Sequence, residues 1–484
     1  MNQKLALICL CLLCSIPAFS QKKYTLQQVI RLAKENSLAS LQAENRKENS
    51  YWQFKTFRSN YKPQLSLNGT LPQFTRGIQP IPQNDGTTEF RPVSSAISDL
   101  ELSLGQTIGL TGGQVFVSSR LERIDNFGGT GDKTRYASTP VSIGFVQPLF
   151  QFNSLNWEKK IAPLRYEESV KAYAEEMERI AYNATDLFFN LLLAQVSLEI
   201  ADKNLASNDT IYRIAQGRYQ LGKIAENDLL QLELNLITSQ QQVREAKLNL
   251  ETTTLNLNTY LGITENEPLE LIEPTDITEF EVSVNIALDQ AKLNRQQYIS
   301  FQRQKIEAQR EVARAKGDAG LKVDLRARFG LNQQGQQLSE AYRAPEDRET
   351  FSVGLEIPIL DWGRQKSRVQ TAQANLELVN NTLQQEEIKF EQDIMVLVKR
   401  FQILREKLVA SIKADDIANR KYIVSQKRYM VDKISITDLN IALQEKDKAK
   451  QQYISSLKNY WQAYYEIRML TMYDFEKNEK INRK

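Results

Sequence analysis

From Ser154 onward, apolar or small residues return at alternating steps of three and four: Met177, Ile180, Ala184, Leu187, Leu191, Ala194, Leu198, Ala201, Leu205, Asn208, Tyr212, Ala215 and Tyr219. That spacing is a heptad seam, the mark of a helix packed lengthwise on other helices. The seam resumes after Gly222 at Leu229, Leu232, Leu236, Ser239 and Val243 and runs to Tyr260. It predicts an antiparallel helical hairpin over 154–261, bent at Gly222. A second hairpin over 363–473 shows the same period at Phe390, Ile394, Leu397 and Phe401, then at Leu439, Ala442, Tyr453 and Tyr460. A helix from 154 to 220 would be about 100 Å long, several times the diameter of an ordinary domain, so the hairpins must project. The return arm is much shorter, and an N-terminal helix over about 25–61 is placed to stack on its end.

Elsewhere the period changes to two. Lys322-Val-Asp-Leu-Arg-Ala-Arg-Phe-Gly-Leu331 alternates charged with apolar residues, Phe351, Val353, Leu355 and Ile357 oppose Ser352, Gly354 and Glu356, and Gln64–Leu71 and Val141–Phe145 alternate likewise. Four strands follow, at about 64–71, 140–149, 322–331 and 351–360. Lys322, Asp324, Arg326, Arg328 and Glu356 belong to the wet side, and the opposite side suits an apolar medium. Phe150, Phe152, Trp157 and Trp362 cluster at strand ends as interfacial aromatics do. Four strands are too few to close a transmembrane barrel, so several chains must contribute. The same alternation also fits a soluble sheet with one wet face. Between the first two strands, the Gly-, Pro- and Asn-rich stretch of about 70–139 carries Leu100, Leu102, Leu104, Val115 and Val117 around Thr111-Gly-Gly113. An extra hairpin fits there, either as further strands or as an external loop.

The two halves are copies. Tyr212–Leu229 and Tyr422–Leu439 match at eight of eighteen positions at an offset of 210, which extends back to Val141–Phe150 against Phe351–Leu360. Upstream, Ala33-Lys-x-Asn36 matches Ala291-Lys-x-Asn294 at an offset of 258, so the first copy holds 258 − 210 = 48 extra residues between Gly69 and Val141. Basic Lys4, the apolar run Leu5–Leu13 and the small-x-small Ala18-Phe-Ser20 read as a secretory leader. The chain therefore reads as a signal peptide (1–20), a first repeat (21–262), a linker (263–282), a second repeat (283–473) and a disordered tail (474–484).

Composition removes most chemistry. All three cysteines lie in the leader and no histidine occurs in 484 residues. From Gln21 on, disulfides, thiol nucleophiles, Ser-His-Asp triads and ordinary zinc sites are excluded, and no paired-carboxylate constellation suggests an enzyme or a cofactor. A net charge of +3 without a basic run gives no ground for nucleic-acid binding. The longest apolar run after the leader, Leu187–Ala194, is short and interrupted by Asn190, so any membrane crossing must use strands.

The duplication, the leader, Gln147-Pro-Leu-Phe150 and Arg218-Tyr-Gln-Leu-Gly-Lys-Ile-x-x-x-Asp-Leu229 together resemble the TolC-like outer-membrane efflux proteins (outer membrane factors) over nearly the whole chain. The resemblance implies a mainly α fold with a β-barrel portion. Long antiparallel coiled-coil helices would form a periplasmic α-barrel, and each protomer of a homotrimer would give four strands to a twelve-stranded outer-membrane β-barrel. It implies a passive, non-enzymatic exit duct in contact with outer-membrane lipid, serving tripartite efflux or type I secretion. The partners implied are a periplasmic adaptor (membrane fusion) protein and an inner-membrane pump of RND or ABC type. By the same resemblance, Leu221, Gly222, Lys223 and Ile224, with Asp432, Lys433 and Ile434, form the adaptor-docking tip. Asp228, Asp438 and Tyr429 form the periplasmic gate, and Lys322, Asp324, Arg326, Arg328 and Glu356 line the barrel lumen. Asp432 stands where the first turn has glycine, and Asp tolerates a left-handed turn better than most residues. Ser435-x-x-Asp438 also resembles a capping box, a role compatible with lining a pore. The rival reading is a periplasmic coiled-coil scaffold or adaptor, which would appear in the soluble periplasm.

Overall fold

A computed structural model describes residues 23–83, 85–127, 134–263, 269–275, 280–431 and 433–481. The leader, parts of the 263–282 linker and Asp432 lie outside the described residues. In chain order the elements are β1 (Lys23–Tyr24), α1 (Leu26–Asn36), α2 (Leu38–Ser59), β2 (Gln64–Pro82), β3 (Thr88–Thr107), β4 (Gln114–Asn126), β5 (Thr134–Leu149), α3 (Ser154–Gln220) and α4 (Glu226–Leu261). The second half continues with β6 (Glu270–Leu271), α5 (Val284–Asn294), α6 (Gln296–Ala319), β7 (Lys322–Gly335), a 3-10 turn (Glu340–Tyr342), β8 (Glu346–Glu356), α7 (Arg364–Met430), α8 (Ile436–Thr471), β9 (Tyr473–Asp474) and β10 (Glu479–Lys480).

Helix boundaries repeat at the offsets read from the sequence. Adding 210 to the ends of α3 and α4 gives those of α7 and α8, and adding 258 to the ends of α1 gives those of α5. The duplication therefore extends to where each helix starts and stops.

The chain divides into two compact units. The first, residues 1–47, 170–296 and 388–484, is helical and contains the turns of both hairpins. Its core is the inward side of the heptad seam: Met177, Ile180, Phe188, Phe189 and Leu191 of α3, Ile394 and Phe401 of α7, and Ile454 and Tyr460 of α8 are all at most 2% exposed. The Phe401 and Tyr460 rings stack with centroids 5.4 Å apart. One stretch of α3 is apolar enough to cross a membrane by length and composition, contrary to the expectation that no such run exists. Phe188, Phe189 and Leu191 are nonetheless enclosed by protein, so this stretch reads as helix-bundle core.

Two expectations change in this unit. The single N-terminal helix is two, because Ser37 takes an extended conformation (ψ 146°) and its Oγ accepts from the Ser40 N–H at 3.1 Å, capping α2. The tail assigned to disorder from 474 is folded as far as the described residues run: β9 pairs antiparallel with β10, Asp474 and Phe475 are buried, and the Tyr464 hydroxyl donates to Glu476 at 2.8 Å. Polar composition suggested a solvated tail, whereas a buried aromatic and a paired carboxylate hold it down.

The second unit, residues 48–169 and 297–387, contains a six-stranded antiparallel sheet of order β2-β3-β4-β5-β7-β8. The strands expected at 64–71, 140–149, 322–331 and 351–360 appear as β2, β5, β7 and β8, the last beginning at 346 and ending at 356. The count of four is corrected to six, because the 70–139 insertion supplies β3 and β4 in the middle of the sheet. Its turn is tied down by side chains at the foot of the sheet. Gln147, from the Gln-Pro-Leu-Phe motif, donates to the Thr111 carbonyl at 3.1 Å, and Asn153 donates to that of Gly109 at 3.0 Å.

Candidate functional site

The two helix turns are built alike. Gly222 has φ +67°, the left-handed region where a side chain is strained, although a Cβ there would meet nothing within 4 Å. The turn closes with the Lys223 N–H on the Arg218 carbonyl at 2.9 Å, a six-to-one bond that satisfies an end-of-helix acceptor. In the second copy, Lys433 N–H reaches the Arg428 carbonyl at the same 2.9 Å, so the bond survives the replacement of glycine by Asp432.

Within this unit the two turns share one apolar cluster. Ile211, Ala215, Leu232 and Leu439 are its buried centre, with Tyr212, Ile224, Leu229, Tyr422, Tyr429, Ile434 and Ile436 packed around them. The structure thus brings together Ile224, Ile434 and Tyr429, while Leu221, Gly222, Lys223 and Lys433 stay exposed. Tyr219, the equivalent of Tyr429 by 210, is 40% exposed. The heptad pattern could have indicated Ile211, Tyr212 and Tyr422 as tip packing, because all three sit within three turns of the bend.

The two acidic candidates differ. Asp438 closes a capping box: its backbone N–H donates to Ser435 Oγ at 3.1 Å, and its carboxylate accepts from the Ser435 N–H at 3.2 Å and hydroxyl at 2.8 Å. The Ser435 hydroxyl, then the Ser435 backbone N–H, hold the Asp438 carboxyl below the ordinary range. Asp228 is half-buried in the first turn of α4, where the cap residue is Ala225 and no side chain caps the helix. A carboxylate there still favours the helix dipole.

Ser435→Ala is expected to cost about 1 kcal/mol of local stability by removing the cap, read as increased amide exchange at residues 436–440. Because the Asp438 carboxyl is held low in the folded state, its contribution is complete above the ordinary carboxylate value and fades as pH falls below it. Exchange at these amides should rise over that interval in the native protein and less so in Asp438→Asn.

The sheet has two unlike faces, and the register assigns them. Leu65↔Leu104↔Val117↔Ile143↔Phe329 form a row across five strands, and Ala327↔Phe351 carries the same face onto β8. Much of this face is uncovered: Leu67 is 67% exposed, Ile143 51% and Phe351 72%. The opposite face carries the predicted polar set. Lys322 pairs with Glu356 across strands at 3.2 Å, Asp324 accepts from Gln151 at 3.0 Å, and the Arg328 guanidinium lies 5.1 Å from the Phe116 ring centre. Arg326 is on the same face and exposed. Sequence reading missed Asp99, Glu101, Arg120 and Glu122, which the insertion adds there; Arg120 sits 3.6 Å from Asp99 and 3.2 Å from Glu122. Their alternation with Leu100, Leu102 and Leu121 was the available signal.

A further group went unseen in the sequence. Glu178, 1% exposed, is held by Lys34 at 2.7 Å and Arg468 at 2.9 Å, and Arg468 also pairs with Asp474. Burial alone would raise the Glu178 carboxyl, but Lys34 and Arg468 outweigh it and keep it below the usual range.

A repeated pair of long helical hairpins and a sheet with one charged and one open apolar face are the components of an outer-membrane channel. The chain belongs to the outer membrane efflux protein family, whose model matches residues 107–263 and 287–471. Among solved structures it is similar to the Campylobacter jejuni CmeC outer membrane channel, with 17% identity over 94% of this chain and 87% of that one and a TM-score of 0.68. The open state of the Neisseria gonorrhoeae MtrE outer membrane channel is also similar, with 14% identity, 95% and 91% coverage and a TM-score of 0.63. No curated protein matches the sequence. The chain is therefore an outer-membrane exit duct and not an enzyme.

Proposed function

We propose that three copies of the chain form a passive duct for tripartite efflux or type I secretion. A periplasmic adaptor docks at the helix turns and an inner-membrane pump of RND or ABC type supplies the energy. Leu221, Gly222, Lys223, Ile224, Asp432, Lys433 and Ile434 form the docking tip, and Asp228, Asp438 and Tyr429 form the gate beside it. Lys322, Asp324, Arg326, Arg328 and Glu356 line the lumen of the barrel.

The observation that carries the reading is the open apolar face of the sheet. Exposed apolar patches on soluble proteins rarely exceed a few hundred Å², and a row of apolar side chains across five strands, with Phe351 on the same face of β8, is stable where lipid covers it. The tip supports gating because its core is small: four buried residues join the two turns, so a partner bound to the exposed turn residues has little packing to overcome.

The native chain beyond the leader lacks cysteine, which permits single reporters. Thr88→Cys, in the β2–β3 hairpin, is expected to label with a membrane-impermeant maleimide in intact cells, and Lys433→Cys only after the outer membrane is permeabilised. Protection of both sites until permeabilisation, with the protein in the soluble fraction, would point to the scaffold reading. Loss of adaptor co-purification in Lys223→Glu/Lys433→Glu tests the docking surface separately.

A further inference from the structure

The ladder across the sheet contains no gap at the insertion. β3 pairs with β2 from Thr88 to Gly105 across one bulge between Thr70 and Gln73, and with β4 from Ser95 to Thr107, and β4 pairs in turn with β5. The apolar residues of the inserted strands, Leu100, Leu102, Leu104 and Val117, fall on the same face as Leu67, Ile143 and Phe329. Their charged residues fall on the face of Arg326 and Arg328. The insertion is therefore patterned as wall: an external loop would have no reason to keep one face apolar in step with its neighbours.

The two outer strands are open. Every residue of β8 is exposed, as is every residue of β2 except Ile81. An unpaired strand edge in a bilayer leaves its N–H and C=O groups without partners, so spanning sheets must close. Six strands are fewer than the roughly eight of the smallest barrels. With six antiparallel strands per chain, β8 of one copy meets β2 of the next in the antiparallel sense, so the alternation continues across every junction.

Resting on the trimeric reading above, we propose that the barrel has eighteen strands, six per protomer, with the β3–β4 hairpin in its wall and β8 joined edge to edge with β2 of a second copy. Because barrel diameter grows roughly linearly with strand number, the lumen is about 1.5 times as wide as one of twelve strands and about twofold larger in cross-section. The added wall brings Asp99, Glu101, Arg120 and Glu122 into the lumen in mixed sign. These add a net −2 per chain (one guanidinium against three carboxylates) to the +1 of Lys322, Asp324, Arg326, Arg328 and Glu356, so the passage widens with both signs present and neither dominant, and it suits bulky cargo better than a charge-selected small ion.

Pairs of cysteines in the otherwise cysteine-free mature chain test this in native outer membranes with a short thiol cross-linker. Leu67→Cys/Leu102→Cys and Val117→Cys/Ile143→Cys should cross-link within one chain. Val353→Cys combined with a cysteine at Leu65, Leu67 or Gly69 should give a covalent trimer on a reducing gel. A trimer that instead cross-links Leu67→Cys to Ile143→Cys, with both hairpin pairs silent, places β2 against β5 and overturns the proposal in favour of twelve strands. Should the paired variants fail to assemble, a three-fold averaged density map of the native protein decides by counting eighteen strands or twelve. Absence of any trimer from the membrane removes the duct reading itself, and the inference with it.

Discussion

Replacing Glu178 with glutamine is expected to destabilise the helical unit by about 3–5 kcal/mol, the usual effect of removing one member of a buried ion pair. The carboxylate is 1% exposed, between Lys34 and Arg468, whose side chains are 9% and 16% exposed. Those two cations came out of water against a specific anion, and glutamine leaves their charge without it. The cluster draws on α1, α3, α8 and, through Arg468 and Asp474, on β9, so the loss should loosen the N-terminal helix and the C-terminal hairpin together. Thermal unfolding of the detergent-solubilised protein, followed by limited proteolysis near residues 34 and 474, measures it. A wild-type melting profile in Glu178→Gln would show that the cluster is not holding these elements. Glu178→Met with Lys34→Met should recover part of the loss, since an apolar replacement of a whole pair is often tolerated.

The pH dependence follows with a definite sign. The folded-state Glu178 carboxyl is held below its ordinary value by Lys34 and Arg468 acting against burial. Its contribution is complete above that ordinary value and is lost as pH falls below it toward the folded one. Wild type should therefore lose stability on acidification through the carboxylate range, and Glu178→Gln should lose less over the same interval.

The second large effect is expected in the sheet. Ile143→Lys puts a charge on the apolar face at a central strand, beside Val117 and Phe329, and should cost about 2–4 kcal/mol if that position lies near the bilayer midplane. Assembly of the heat-resistant oligomer should fall sharply. Ser352→Lys, on the opposite face beside Arg326, should assemble like wild type. Equal tolerance of the two substitutions would mean that the face is not in lipid.

Much of this architecture was legible because it is written in short periods. The three-and-four spacing marked the rods, the copied Arg-Tyr and Lys-Ile residues located both bends, and Ser435-x-x-Asp438 announced the cap that the structure contains. Alternation separated Arg326 and Arg328 from Leu325 and Phe329 on β7 before any pairing was known. The tip cluster was half legible: Tyr429 and Ile434 stand 210 positions after Tyr219 and Ile224 in the copied turn, but the joining of Leu232 to Leu439 is not readable this way, since 207 positions separate them (439 − 232).

Local periodicity, set by the 3.6-residue turn of the helix and the two-residue pleat of the strand, is a property of neighbours. The sequence by itself determined the helical hairpins, their duplication and the two-faced character of the strands. Strand count and order required knowing that the insertion pairs between β2 and β5, a choice among competing edges that alternation leaves open. The buried cluster required bringing Lys34 to Glu178 across 144 positions and Arg468 to Glu178 across 290. Only the tertiary structure decided these, because a charge becomes buried and a strand acquires neighbours through packing between distant segments.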